Sequence, residues 1–232
     1  MKNIIYLGDI HGNFNQIIGW MHHNKHRENC NIIQVGDFGI GFKPKQEHHE
    51  LKLLSSKLKT KNHTVLVIRG NHDNPEYFDG NHDYDNIKFL PDYTVKNLNG
   101  SNHLFIGGAI SIDRRLRKSN IDYWENECFN YDEERLKNIK EIDVLVTHTC
   151  MSFNKPTFFS NLVYSFALKD DKLIKDLDRE KNLVDLMWKK LNENDNKIKL
   201  HLYGHFHFNN KEFINNTKHI LLDIDEFYEE YN

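Results

Sequence analysis

Five short segments carry side chains able to do metal chemistry. They are Gly8-Asp9-Ile10-His11-Gly12, Gly36-Asp37, Gly70-Asn71-His72-Asp73, Thr147-His148-Thr149 and Gly204-His205-Phe206-His207. Together they offer carboxylate, amide and imidazole donors and no thiolate. Such a set suits Mn, Fe or Zn in a reactive centre rather than a structural cysteine site. Asp9 and His11 lie two apart, so on an extended segment both side chains leave the same face. His205 and His207 repeat that spacing. Asp37 stands alone, which leaves its two carboxylate oxygens free to bridge two ions. Glycines beside the ligands permit tight turns and leave room for a substrate. The chain holds 15 histidines in 232 residues, an excess that metal chemistry would explain.

Each segment follows a short apolar run, and in α/β folds sites form at the carboxyl ends of strands. Asn3 to Leu7, Asn31 to Val35 and Thr64 to Ile68 read as strands. Between them, Phe14, Ile17, Ile18 and Met21, then Leu51, Leu54 and Leu58, recur with helical spacing. Strand, helix, strand, helix, strand reads as right-handed βαβ units with strands buried on both faces. Further strands are expected at 86–90, 93–98, 103–106, 144–147, 199–203, 212–214 and 219–222. Asn99-Gly100 and Asn209-Asn210 are the expected turns. Helices are expected around 132–140 and 183–191. Segments 114–130 and 152–178 lack periodicity and read as cap-like loops on a single domain spanning residues 1–232.

The ordered set Asp-x-His, Gly-Asp, Gly-Asn-His-Asp, His, Gly-His-x-His resembles the calcineurin-like metallophosphoesterase superfamily. The likeness runs from Asp9 to His207, nearly the whole chain. It implies an α/β fold, a four-layer α/β/β/α sandwich, with a two-metal centre. By that resemblance Asp9, His11, Asp37 and His207 hold one divalent ion, and Asp37, Asn71, His148 and His205 hold the other. Mn is the expected metal, with Fe, Zn or Ni as alternatives. His72 would protonate the leaving oxygen or bind the phosphate. Two such ions clamp a phosphoryl group and lower the pKa of a bound water.

The chain also departs from the family pattern. Protein phosphatases of the superfamily continue the second motif as Gly-Asp-x-x-Asp-Arg-Gly. Here Ile40 replaces the acid that would pair with the histidine, and Gly41 replaces the arginine that would grip phosphate. The complete Gly-His-x-His is more typical of diesterase-like branches. Residues 106–113, the arginines that follow, Trp124 and Glu127 resemble small bacterial and phage metallophosphoesterases. Arg114, Arg115 and Arg117 are candidates for holding phosphate oxygens, as is Arg69, because guanidinium forks match phosphate geometry. The expected activity is hydrolysis of a small, nucleotide-type phosphodiester. A phosphomonoesterase is the alternative, and a silent binding module the third reading. That last reading predicts a gap in the ligand set or a replaced His72, and neither occurs.

Composition narrows the classes. Charged residues make up 28%, hydrophobic residues 38% and aromatic residues 12%, which fits a folded core and not a disordered chain. The net charge of −3 and a pI near 6.6 give no basic field, so long nucleic acid is not the expected partner. No apolar run reaches the roughly 18–20 residues that span a membrane. The apolar stretch before Gly8 is too short for a signal peptide. Cys30, Cys128 and Cys150 are widely spaced and form no evident framework, so a reducing cytoplasm is expected. His22, His23, His26, His48 and His49 read as solvated helix faces, and His63, His103, His201 and His219 as strand flanks. His82-Asp83 reads as a loop, and Asp73 as a neighbour of the ligands.

Overall fold

The computed structural model describes residues 2–230. The chain runs β1 (Asn3–Leu7), α1 (Asn15–His23), β2 (Cys30–Gln34), α2 (Pro44–Lys59), β3 (Thr64–Val67), β4 (Ile87–Phe89), β5 (Thr94–Leu98) and β6 (Ser101–Ile106). It continues with α3 (Glu133–Leu136), β7 (Val144–Thr147), α4 (Asn161–Ala167), α5 (Leu173–Glu193), β8 (Leu200–Tyr203), β9 (Asn210–Ile214), β10 (Thr217–Leu221) and β11 (Phe227–Tyr228). One sheet has the order β11-β1-β2-β3-β4 and the other β5-β6-β7-β8-β10-β9. The triplets β1-β2-β3 and β6-β7-β8 are parallel.

The layers follow from strand periodicity. Ile5, Leu7, Ile32, Val65 and Val67 face out from the first sheet and meet Ile17, Leu51, Leu54 and Leu58 of α1 and α2. Their neighbours Tyr6, Ile33, Leu66 and Ile68 face the other way and meet Phe105, Val144, Val146, Leu202 and Ile220 of the second sheet. Leu104, Ile106 and Leu145 then pack under Val184, Met187 and Leu191 of α5. The result is the α/β/β/α sandwich. Each fully buried aliphatic side chain stabilises it by about 1.5–3 kcal/mol.

Several expectations need correction. Segment 152–178 is not loop throughout, because α4 and the first turns of α5 lie in it. Leu162 and Tyr164 of α4 are exposed while Val163, Phe166 and Ala167 pack toward Leu173 and Leu177, a stripe too short to stand out among its apolar neighbours. The stripe of α5 is Leu173, Leu177, Glu180, Val184, Met187 and Leu191, and a buried glutamate interrupts its apolar pattern. The helix expected around 132–140 shrinks to α3. The β9–β10 hairpin turns at Asn215-Asn216, both with positive φ, and Asn210 is already in β9. Asn99-Gly100 does join β5 to β6, with positive φ at both residues as a type I′ turn requires. The β11 pairing with β1 escaped the sequence reading. His103, His201 and His219 sit buried inside strands rather than flanking them. They are tolerated there because each finds a partner: Tyr6 Oη for His103, and Thr147 Oγ1 and His219 Nδ1 for His201.

Candidate metal centre

Parallel strands of both sheets end at one place, and the chain turns sharply just beyond each. Asp9 follows β1, Asp37 follows β2, Asn71 follows β3, His148 follows β7, and His205 and His207 follow β8. His11, Asp37, His205 and His207 all have positive φ, between 44° and 73°. The Asp-x-His pairs are therefore turns, not the extended segments expected from their spacing. Left-handed backbone at non-glycine residues costs of order 1–3 kcal/mol and gathers at functional sites. Glycines make the approach possible. A Cβ on Gly36 would strike the His148 ring, and one on Gly70 would strike Asp37.

The loops are knitted together by main-chain bonds. Ile10 and His11 donate their N–H groups to the Asp37 carbonyl, at 3.1 and 2.9 Å. His72 N–H donates to Asp37 Oδ1 at 2.7 Å. Asp73 accepts from the amides of Phe38, Gly39, Ile40 and Gly70, tying the second loop to the third. Burial raises its carboxyl to about 7, against the pull of those donors.

Donor atoms converge in two groups that share Asp37. Asp9, His11, Asp37 and His207 each offer an atom within 4.8 Å of the others, as do Asp37, His148 and His205. Asn71 joins the second group, its Oδ1 being 3.1 Å from His148 Nε2. His148 Nδ1 donates to the Val35 carbonyl at 2.9 Å, which aims Nε2 at Asp37 Oδ1, 3.2 Å away. His207 Nε2 lies 3.4 Å from Asp9 Oδ2 and 3.1 Å from His11 Nε2.

The electrostatics call for positive charge here. Burial alone would lower the His148 pKa, but Asp37 and Asp9 raise it to about 9. Burial would likewise raise Asp37, yet His148, His72 and His11 hold it well below the usual carboxylate range. Burial raises Asp9. His148 thus lies against the buried Asp37 carboxylate, with Asp9 also favouring its charged form. Divalent cations fit this donor set, with oxygen and imidazole ligands, buried negative charge and an oriented histidine.

The other candidate residues divide. Arg117 Nη2 lies 2.6 Å from His72 Nε2 and 2.8 Å from Asp113 Oδ1. A guanidinium only donates, so His72 Nε2 accepts and the ring is neutral with its proton on Nδ1. Burial and Arg117 together hold the His72 pKa at about 4, outweighing Asp37. Arg114 is taken up by Asp170 at 2.5 Å and Asp176 at 2.6 Å. Arg115 is exposed, with Asp170 3.7 Å away. Arg69, expected as a phosphate grip, is buried and spent on Asp92 and on the carbonyls of Asn126, Glu127 and Cys128. Ile40, which stands where protein phosphatases carry the acid, lies in the core.

Two parts of this site had no role in the sequence reading, although residues 106–113, Trp124 and Glu127 were noted there by resemblance. Phe42 stacks on His72, with centroids 6.5 Å apart, and meets Trp124 edge-on at 5.2 Å. A cavity of about 270 Å³ opens here, walled by His11, His72, Phe42, Lys43, Gln46 and Glu50. Ser111 and Glu127 lie buried behind Asn71. The Gly107-Gly108 turn before Ser111 was the available signal.

A family model for calcineurin-like phosphoesterases matches residues 2–209. The chain belongs to this family. Calcineurin-like phosphoesterases are hydrolases, and their fold and divalent-metal chemistry agree with the ligand groups described above. No curated protein matches the sequence. Among solved structures, a Staphylococcus aureus protein named as a 5'-nucleotidase candidate is 14% identical, with a TM-score of 0.49 over 97% of this chain. The present chain spans 49% of that protein's length. Phosphopantetheinyl hydrolase of Mycobacterium tuberculosis is 13% identical, with a TM-score of 0.48 over 97% of this chain and 90% of its own. GAP50 of Plasmodium, named as the anchor in the inner membrane complex, is 16% identical, with a TM-score of 0.44 over 96% of this chain and 71% of its own. Among the described residues no helix of this phosphoesterase is long and apolar enough to cross a membrane.

Proposed function

We propose that this phosphoesterase is a dinuclear metal-dependent phosphodiesterase acting on a small, nucleotide-type substrate. The observation that carries the reading is the convergence of two donor groups on the single buried carboxylate Asp37. Asp9, His11, Asp37 and His207 would hold one ion, and Asp37, Asn71, His148 and His205 the other. Bound there, the ions would polarise the phosphoryl group and supply a water acidic enough to attack it near neutral pH.

The chain's own residues then have distinct tasks. Arg117 is the guanidinium beside His72, whereas Arg114 and Arg69 are engaged by carboxylates and carbonyls. Phosphate oxygens that take the Arg117 N–H groups would release His72 Nε2. Freed of Arg117, that bare nitrogen could take a proton from solvent and pass it to the leaving oxygen. One guanidinium, itself paired with Asp113, suits the single charge of a diester better than a monoester dianion, and Gly41 offers no second one. The cavity beside His11 and His72 presents the Phe42 ring to a group bound there.

The test compares kcat/KM for bis-p-nitrophenyl phosphate, p-nitrophenyl phosphate and a panel of cyclic nucleotides, with Mn²⁺ added. The diester is expected to lead. A monoester preference would replace the diesterase reading with the phosphatase one, and no hydrolysis of any of them with two ions bound would sink both.

A further inference from the structure

Asn71 is the one amide ligand in the proposed set, with an acceptor oxygen at one end and a donor NH₂ at the other. Its oxygen must face the ion and its NH₂ must face away. The amide Nδ2 donates to Ser111 Oγ at 3.0 Å, while Oδ1 faces His148 Nε2. Ser111 in turn is held by Glu127. Its backbone N–H donates to Glu127 Oε1 at 2.7 Å, and its hydroxyl opposes the rise to about 7 that burial imposes on that carboxyl. Asn71, Ser111 and Glu127 are all buried, at 3%, 1% and 1% exposure.

The chemistry of this chain has one direction. Asn71 Nδ2 donates to Ser111 Oγ, and an ionised Glu127, which only accepts, would draw the hydroxyl proton to its own side and leave the lone pairs toward Asn71. Asn71 must answer with its NH₂, which leaves Oδ1 on the ion side. Glu127 is also an awkward residue to bury. Its Oε2 has no hydrogen-bond partner among the described residues, and a buried unpaired carboxylate oxygen is costly. A merely structural link to the Ser111 amide could be made by the carbonyl of a glutamine. What glutamine cannot do is impose the same polarity, because a neutral amide draws the hydroxyl proton less strongly than a carboxylate does. Arg69 fixes the backbone of this segment, donating to the Glu127 carbonyl at 2.7 Å.

We infer that Ser111 and Glu127 are positioning residues that lock the Asn71 amide with its oxygen toward the ion shared with His148, His205 and Asp37. The inference rests on the two-ion reading of the site. It also gives a role to part of the 107–127 segment that the proposed reaction leaves unused.

The test is Mn²⁺ binding to the full chain, followed by calorimetry and by the EPR signal of a coupled pair. Wild type should take up two ions. Glu127→Gln and Ser111→Ala should each weaken one site by about 10–100-fold, the usual cost of losing an outer partner of a ligand, and leave the other unchanged. Asn71→Asp is the discriminating background, since a carboxylate has two equivalent oxygens and needs no orienting. There Glu127→Gln should cost nothing further at the weaker site. Equal loss in both backgrounds, loss of both sites together, or two wild-type affinities in Glu127→Gln would overturn the inference. Uptake of a single ion by wild type would instead remove the two-ion reading beneath it.

Discussion

His11 and His207 leave 28% and 44% of their side chains in solvent, whereas His148, across Asp37, is wholly buried. The open group is held by few bonds. Its histidines sit on left-handed turns and touch one another through Nε2. The buried group is held from behind, His148 by the Val35 carbonyl and Asn71 by Ser111. Two ligand groups that read alike in sequence thus differ in mechanical support. The buried group is integral to the packing between the sheets. The open group is a rim that solvent and substrate can reach.

The largest expected effect comes from the residue both groups share. Asp37→Ala should remove both ions and lower kcat by about a thousandfold or more, as loss of metal-centred charge stabilisation implies. Metal analysis alongside kinetics checks it. Retention of one tightly bound ion would mean the groups are independent and the contrast misdrawn.

Replacing one histidine from each group should separate them. His148→Ala leaves Asp37 buried without its cationic partner, so metal-free stability should fall by about 3 kcal/mol or more. His11→Ala lies on the rim and should stay within about 1 kcal/mol of wild type while weakening one ion. Urea denaturation in excess chelator measures both. Similar losses would erase the distinction between support and rim.

The arginines extend the same contrast outward. Arg117→Ala should lower kcat/KM by about tenfold, roughly the value of a charge-assisted hydrogen bond. Arg114→Ala should leave kcat/KM within about twofold and lower stability instead, because it strands the buried Asp170. The reverse pattern would assign the phosphate grip to Arg114.

A smaller effect concerns pH. His148 has a folded pKa of about 9, above its unfolded value, so its stabilisation is complete below about 6.5 and is lost as pH rises toward 9. The metal-free protein should therefore lose thermal stability over that window, by about 2–4 °C per kcal/mol for a chain of this size. With Mn²⁺ bound, His148 is a neutral ligand and the decline should vanish. A flat metal-free profile between pH 6.5 and 9 would contradict the His148–Asp37 pairing.

Much of this molecule is written locally. A buried strand needs a run of apolar residues, a turn needs glycine or a residue tolerant of positive φ, and a ligand must lie just beyond. Asp9, Asp37, Asn71, His148 and His205 are legible for that reason, and the family match over residues 2–209 agrees with the superfamily their order suggested. The four layers were implied by the resemblance, whereas the strand pattern showed only that β1, β2 and β3 have two buried faces. What lies across the chain was not legible. Arg114 and Arg117 are three residues apart and look alike, yet one meets Asp170 and the other His72. Their difference depends on α4, α5 and the third loop packing together, and hydrophobic periodicity carries no record of such pairings. The same holds for Glu127, whose partner Ser111 lies 16 residues away and whose beneficiary, Asn71, comes from the other sheet. Residue types and the elements bearing them are properties of neighbouring sequence. Which charge faces which is decided only when distant segments are buried against each other and every polar group must find a partner.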